Sequence, residues 1–196
     1  AKLDAAAVLL CEPNHIRYAT GVRNMQPWSM HSTFRACFLP VEGRAVAFEY
    51  AGSEHLAAGL ETVAEVRPAS KLFDFGRSEG RRDPRVKAWV AGIAELTRAA
   101  GGTRLAIDRH VDHFTAQALE AEGLELASAM GALALAQSVK SHDELLCISA
   151  SIAVSETAIH RLREALEPGM TEIQLWAILE GTNAEFGGEY MDTRLL

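Results

Sequence analysis

The sequence predicts an α/β domain with a mixed sheet and flanking helices over residues 1–139, followed by a pair of helices opening a second domain over residues 140–196. Three observations carry this expectation. Short apolar runs bounded by turn residues alternate with segments of helical period, the pattern of a layered α/β domain. Two neighbouring runs are joined by Glu42-Gly43, a tight hairpin turn, so the sheet is mixed rather than purely parallel. After Lys140 the pattern changes to two helical segments, each opened by a capping box.

The elements follow in order. AAAVLLC (residues 5–11) reads as a buried strand, and Glu12-Pro13-Asn14 as a turn. Asn14 is expected to cap a short helix, HIRYAT, which Gly21 ends. FRACFLP and AVAFEY read as the hairpin strands. Ser53 is expected to cap a helix reaching Gly59, and TVAEV to form the next strand. A polar stretch rich in arginine separates it from a helix opened by Asp83-Pro84 and closed by Gly101-Gly102. RLAID is a strand, residues 113–122 a helix, and residues 124–127 a last strand. Residues 128–140 (SAMGALALAQSVK) are small and uncharged up to Lys140 and mark the boundary. Ser141 with Glu144, and Thr171 with Gln174, then box the starts of two helices separated by Pro168-Gly169. Leu145, Ile148, Ile152, Ile159, Leu162 and Leu166 share one face of the first. EYMDTRLL alternates like the opening of a strand.

Composition narrows the function classes. The chain is 48% hydrophobic and 23% charged, as globular domains are. Its net charge of −7 argues against a nucleic-acid surface. No apolar run is expected to reach the ~20 residues of a membrane span, so no membrane partner is expected. No signal-peptide pattern opens the chain, and a cytoplasmic location is expected. Cys11, Cys37 and Cys147 each sit in an apolar stretch without zinc spacing, and are expected to be buried reduced thiols.

Three constellations could carry chemistry. Asp108, His110, Asp112 and His113 crowd a strand-to-helix passage, where a metal could be held; helix capping by Asp108 or Asp112 is the preferred reading, because further ligands are missing nearby. The stretch NMQPWSMHSTFR places Met25, Trp28, Met30, His31 and Arg35 in a loop, and such residues recur in pockets and interfaces. Arg77, Arg81, Arg82 and Arg85 could meet an anion, but Asp74, Glu79 and Asp83 interleave with them, as on a solvated loop. Phosphate-loop, dinucleotide, zincin and serine-hydrolase signatures are absent.

From Lys140 the stretch VKSHDELLCISASIAVSETAIHRLREALEPGMTEIQLWAIL resembles the entry to the pita-bread domain of the creatinase, prolidase and aminopeptidase P superfamily. The resemblance lies in a Lys-Ser-x-x-Glu start, a long helix, a Pro-Gly-Met-Thr-Glu turn and a second helix. Upstream, EPNHIRYATGV is similar to the superfamily's Asn…Tyr-x-Thr-Gly element, here Asn14, Tyr18, Thr20 and Gly21. Within the superfamily, IRYAT, NMQPW, LFDFGR and GGEYMDTRLL resemble the dimethylsulfoniopropionate lyase branch.

The resemblance implies a creatinase-type N-terminal domain followed by the first helical hairpin of a pita-bread α+β domain. It implies a metal-dependent enzyme acting on a small molecule, as a metallopeptidase-like hydrolase or a lyase. Two divalent metal ions are expected in the complete parent and no cofactor in this chain, since the family places its ligands beyond the strand at which this sequence stops. No catalytic residue is therefore assigned, and the chain alone is expected to be inactive. A homodimer is implied too, in which Trp28, His31, Arg35 and Met25 contribute to a pocket mouth in the neighbouring subunit. The indole and imidazole would flank a cationic or zwitterionic substrate, and the arginine would hold its carboxylate. The alternative is a non-catalytic binding or dimerisation module of the same fold.

Overall fold

A computed structural model describes residues 3–23, 35–70, 84–109 and 111–188. The chain divides into two compact units, Ala1–Ala136 and Gln137–Leu196.

The first unit is built on strand β1 (Ala7–Leu10), which lies inside a six-stranded sheet. The other strands are β2 (Ala36–Pro40), β3 (Ala45–Glu49), β4 (Val63–Pro68), β5 (Arg104–Ile107) and β6 (Glu125–Ser128). Their order across the sheet is β4-β3-β2-β1-β5-β6. Strand β2 runs antiparallel to both its neighbours, and every other pairing is parallel. Five strands therefore point one way and β2 the other, which is the mixed sheet the hairpin signal predicts. Gly43 closes that hairpin at φ 100°, a conformation costly for a residue with a Cβ.

Strand period explains the near-continuous apolar runs. Ala7 and Leu9 face one core, with Phe38, Phe48 and Leu105, while Leu10 faces another with Cys37 and Ala45. Helices α2 (Pro84–Ala99) and α3 (His113–Ala121) cover the first face through Trp89, Val90, Ile93 and Leu119. Helix α1 (Pro13–Thr20) covers the second through Ile16. Each large side chain buried here, such as Leu9 or Phe38, contributes about 1.5–3 kcal/mol.

Three local expectations are corrected. Glu12, not Asn14, caps α1, because its carboxylate reaches the His15 amide at 3.0 Å; Asn14 lies inside the helix and donates its side-chain amide to Glu12 Oε1. The segment after Ser53 forms a single 3₁₀ turn, Glu54–Leu56, without a side-chain cap. Residues 128–140 hold a further helix, α4 (Met130–Ser138), whose Leu133 packs against the α1 core.

The second unit is a helical pair. Helix α5 (His142–Ala165) starts at the predicted box: Ser141 Oγ accepts from the Glu144 amide, and Glu144 Oε2 from the Ser141 amide at 2.7 Å. Helix α6 (Glu172–Glu185) begins where Gln174 Oε1 accepts from the Thr171 amide at 2.8 Å. Ala158 and Thr182 are buried, and Arg161 of α5 bonds Thr182 Oγ1 and Glu185 of α6. The expected apolar face of α5 is open: Leu145, Ile148, Ile152, Ile159 and Leu166 are 41% to 62% exposed. Cys147 lies among them and is exposed, which corrects the expectation of three buried thiols. Helix α5 is also long and apolar enough to cross a membrane, contrary to the sequence expectation, although core helices of soluble proteins meet the same measure. The strand expected in EYMDTRLL lies outside the described residues.

Candidate functional site

The strand directions gather polar residues at one edge of the sheet. The carboxyl ends of β1, β3, β4, β5 and β6 lie there together with the start of β2. Open α/β sheets place ligands at such an edge. Here it holds two buried charged clusters.

The first joins Arg35 and Glu49. The antiparallel register sets Ala36 opposite Phe48, and continuing it sets Arg35 opposite Glu49. The guanidinium forks onto the carboxylate, with Nε to Oε2 at 2.7 Å and Nη2 to Oε1 at 2.5 Å. Nη2 also donates to the Arg23 carbonyl at 3.2 Å. Arg35 is 5% exposed and Glu49 1%. Burial raises the Glu49 carboxyl above the usual carboxylate range, and the Arg35 bond and charge pull against it. A buried pair of this kind contributes little net stability over an apolar pair of the same volume, whereas removing one partner costs about 3–5 kcal/mol.

The second cluster centres on Asp108, just past β5. Its Oδ2 accepts from the backbone amides of Cys11 and Glu12, both at 2.8 Å, and faces His15 Nδ1 at 3.3 Å. Glu12 Oε2 lies 3.6 Å from the same His15 nitrogen, and Arg109 lies 3.9 Å from Glu12 Oε1. Asp108 thus ties the β1–α1 turn to β5, and Glu12 caps the helix that follows.

Neither buried thiol nearby is a nucleophile at neutral pH. Burial, then the Asp108 charge, pushes Cys11 well up, and burial pushes Cys37 up to about 12.

The expectations for this region resolve unevenly. Asp112 caps α3, accepting from the Phe114 and Thr115 amides at 2.8 and 3.0 Å, and Asp108 holds the turn. Both carboxylates are therefore engaged by backbone donors, and the described residues hold no group of three or more His, Cys, Asp or Glu placed to bind a metal. The two metal ions implied by the resemblance do not find a fitting ligand set among the described residues. Arg35 lies at the edge, committed to Glu49 and the Arg23 carbonyl. Met25, Trp28 and His31 lie outside the described residues, as do His110, Arg77, Arg81 and Arg82. Sequence reasoning missed the pairing of Glu49 and the network of Glu12, His15 and Asp108. The available signal was an acid closing an apolar strand, in AVAFE and RLAID, since acids are seldom buried without partners.

As chemistry, the edge offers fixed charges that hold backbone in place. It brings no nucleophile and base into contact among the described residues.

Comparison with known proteins places this arrangement. No protein-family model matches the chain. It is 34% identical over 200 residues to dimethylsulfoniopropionate lyase DddP of Roseovarius nubinhibens, covering 98% of this chain and 44% of that protein. The DddP of Roseobacter denitrificans matches at 34% over 198 residues, again covering 44% of the relative. The chain thus spans under half the length of these curated relatives. Among solved structures, an X-Pro aminopeptidase from Thermotoga maritima superposes with a TM-score of 0.66 at 18% identity, covering 94% of this chain and 47% of that one. A prolidase from Pyrococcus horikoshii superposes at 0.66 and 14% identity, covering 92% and 44%. At these identities the solved structures establish the fold, and the curated relatives add identity along nearly the whole sequence. The chain is therefore similar in sequence to these lyases along nearly its whole length, and shares the fold of the prolidase and the X-Pro aminopeptidase over a little under half of each.

Proposed function

We propose that this chain works as part of a metal-dependent enzyme that acts on a small molecule, and that a lyase acting on a dimethylsulfoniopropionate-like substrate is the best reading. The observation that carries it is 34% identity to two curated dimethylsulfoniopropionate lyases across 97–98% of the chain. The residues at hand suit a sulfonium carboxylate: Trp28 offers an aromatic face to a cation, and Met25 a soft apolar contact. A peptidase acting on Xaa-Pro bonds is the reading the solved relatives' names suggest, and it needs a group that holds a free amine or a proline ring.

In this account the chain supplies positioning. Met25, Trp28 and His31 contribute to a pocket mouth across a homodimer, and Arg35, committed to Glu49, serves it as a positioning residue rather than touching the substrate. Two divalent ions in the complete enzyme would activate a water or stabilise charge on a substrate oxygen. Their ligands are proposed to lie elsewhere in the parent, so this chain alone turns over nothing. The protein is proposed to be cytoplasmic.

A second reading is a non-catalytic dimerisation module. The exposed apolar row on α5 favours it, because contiguous apolar surface marks an interaction site. Substrate consumption by the parent separates the readings. Trp28→Ala should lower kcat/KM for dimethylsulfoniopropionate at least tenfold, about the value of a desolvated cation–π contact. An unchanged kcat/KM would sink the pocket assignment.

A further inference from the structure

We propose that the Arg35–Glu49 pair is a fastening device that holds together the two roots of residues 24–34. Three facts converge on it. Arg35 is the residue through which that stretch joins β2, and its guanidinium bonds the carbonyl of Arg23, the last residue before the stretch. The other side of the fork is fixed to Glu49, at the end of β3. The incoming root is held independently. Val22 is fully buried with Ala47, Ala57 and Val63, its amide donates to Thr20 Oγ1 at 3.1 Å, and Thr62 Oγ1 donates to the Thr20 carbonyl at 2.5 Å. One guanidinium therefore spans three points that are distant in sequence: 23, 35 and 49.

The choice of groups fits this task. An apolar pair would fill the same space at similar stability, but it could not bind the Arg23 carbonyl. A lysine would keep the charge but lose the planar fork, which alone reaches both carboxylate oxygens and the carbonyl. Closing eleven residues into a loop costs entropy, and a charge-assisted bond at its neck offsets that cost where a neutral contact would offset less. Arg35 is thus a positioning residue: it acts on any ligand only through the stretch whose ends it joins. Its effect on a ligand rests on the pocket reading above. The fastening itself is measured without a ligand, so the two ideas fail separately.

The test is native-state amide exchange of the chain, resolved to single residues. The Val22 amide reports opening of the incoming root, and the amides of β1, buried in the sheet core, report global unfolding. A tie that breaks when the root opens is also lost on global unfolding, so Glu49→Gln and Arg35→Lys should speed exchange at Val22 at least tenfold and by about the same factor as in β1. The double variant Arg35→Met with Glu49→Leu should leave Val22 exchange at least tenfold faster than in the wild type, even if its denaturation midpoint and its β1 exchange return to the wild-type values. Val22 exchange unchanged in the two single variants while β1 exchange rises would overturn the proposal. So would a double variant that restores Val22 exchange together with the midpoint, because the pair would then be a packing element only.

Discussion

Replacing Asp108 should be among the most damaging single changes in the first unit. Its Oδ2 accepts two backbone amides at 2.8 Å in a site where the residue is 3% exposed. A hydrogen bond to a charged group contributes about 1.5–3 kcal/mol, and truncation leaves both amides buried without partners. Asp108→Ala should therefore cost about 3–6 kcal/mol, a large part of a typical domain's stability. Asp108→Asn retains an oxygen that can accept both amides but loses the charge, so its cost should be about half as large. Urea denaturation followed by far-ultraviolet circular dichroism measures the total. Amide exchange read by mass spectrometry on peptides spanning residues 9–16 assigns the loss to the β1–α1 turn. The reasoning fails if Asp108→Ala costs less than about 1 kcal/mol, or if the Asn and Ala variants are equally unstable. It also fails if the Cys11 and Glu12 amides keep their protection after the aspartate is gone.

Three further outcomes are expected. A thiol reagent should titrate one cysteine per native chain, Cys147, and all three after denaturation, because Cys11 and Cys37 are buried; three fast thiols in the native chain would contradict this placement. The two raised thiols give stability that is whole below their ordinary value of 9.0 and is lost as pH rises toward the folded value, about 12 for Cys37. Each should contribute a decline of about 1.4 kcal/mol per pH unit in that window, so Cys37→Ala should flatten the alkaline slope, and an unchanged slope would refute the assignment. Ile152 and Ile159 are 53% and 62% exposed, so Ile152→Asp with Ile159→Asp should leave the melting temperature nearly unchanged while reducing binding of a hydrophobic dye. A large loss of stability would mean that this face is already covered.

Local rules carried much of the fold. Apolar runs at β1, β2, β3 and β5, the Glu42-Gly43 turn, and the boxes at Ser141 and Thr171 are decided within a few residues, and each is legible for that reason. Helix α4 was not, because MGALALAQS has no polar face from which to read a period. Capping preference points to Asn14 as the cap of α1, because asparagine is among the residues that lead it. Pro13 at the first helical position moves the start back by two residues and hands the cap to Glu12. The site was harder still. The partners of Asp108 lie 96 and 97 residues away, which no window along the chain can show. The resemblance, through the dimer it implies, leads to the expectation that Arg35 holds a substrate carboxylate. The structure gives it Glu49, fourteen residues on and directly across the hairpin, a pairing that the register of AVAFE against FRACF could have revealed. Cys147 sits in as apolar a stretch as Cys11, yet one is exposed and the other buried. Burial there depends on what covers α5, which its own sequence does not state.

The central claim is that this fold serves metal-dependent chemistry on a small substrate in the full-length protein. Its most direct test is consumption of dimethylsulfoniopropionate by the complete translation product, measured before and after chelation, with an Xaa-Pro dipeptide run in parallel. The account predicts consumption of dimethylsulfoniopropionate that chelation abolishes and added divalent metal restores. Metal-loaded protein that consumes neither compound would contradict it.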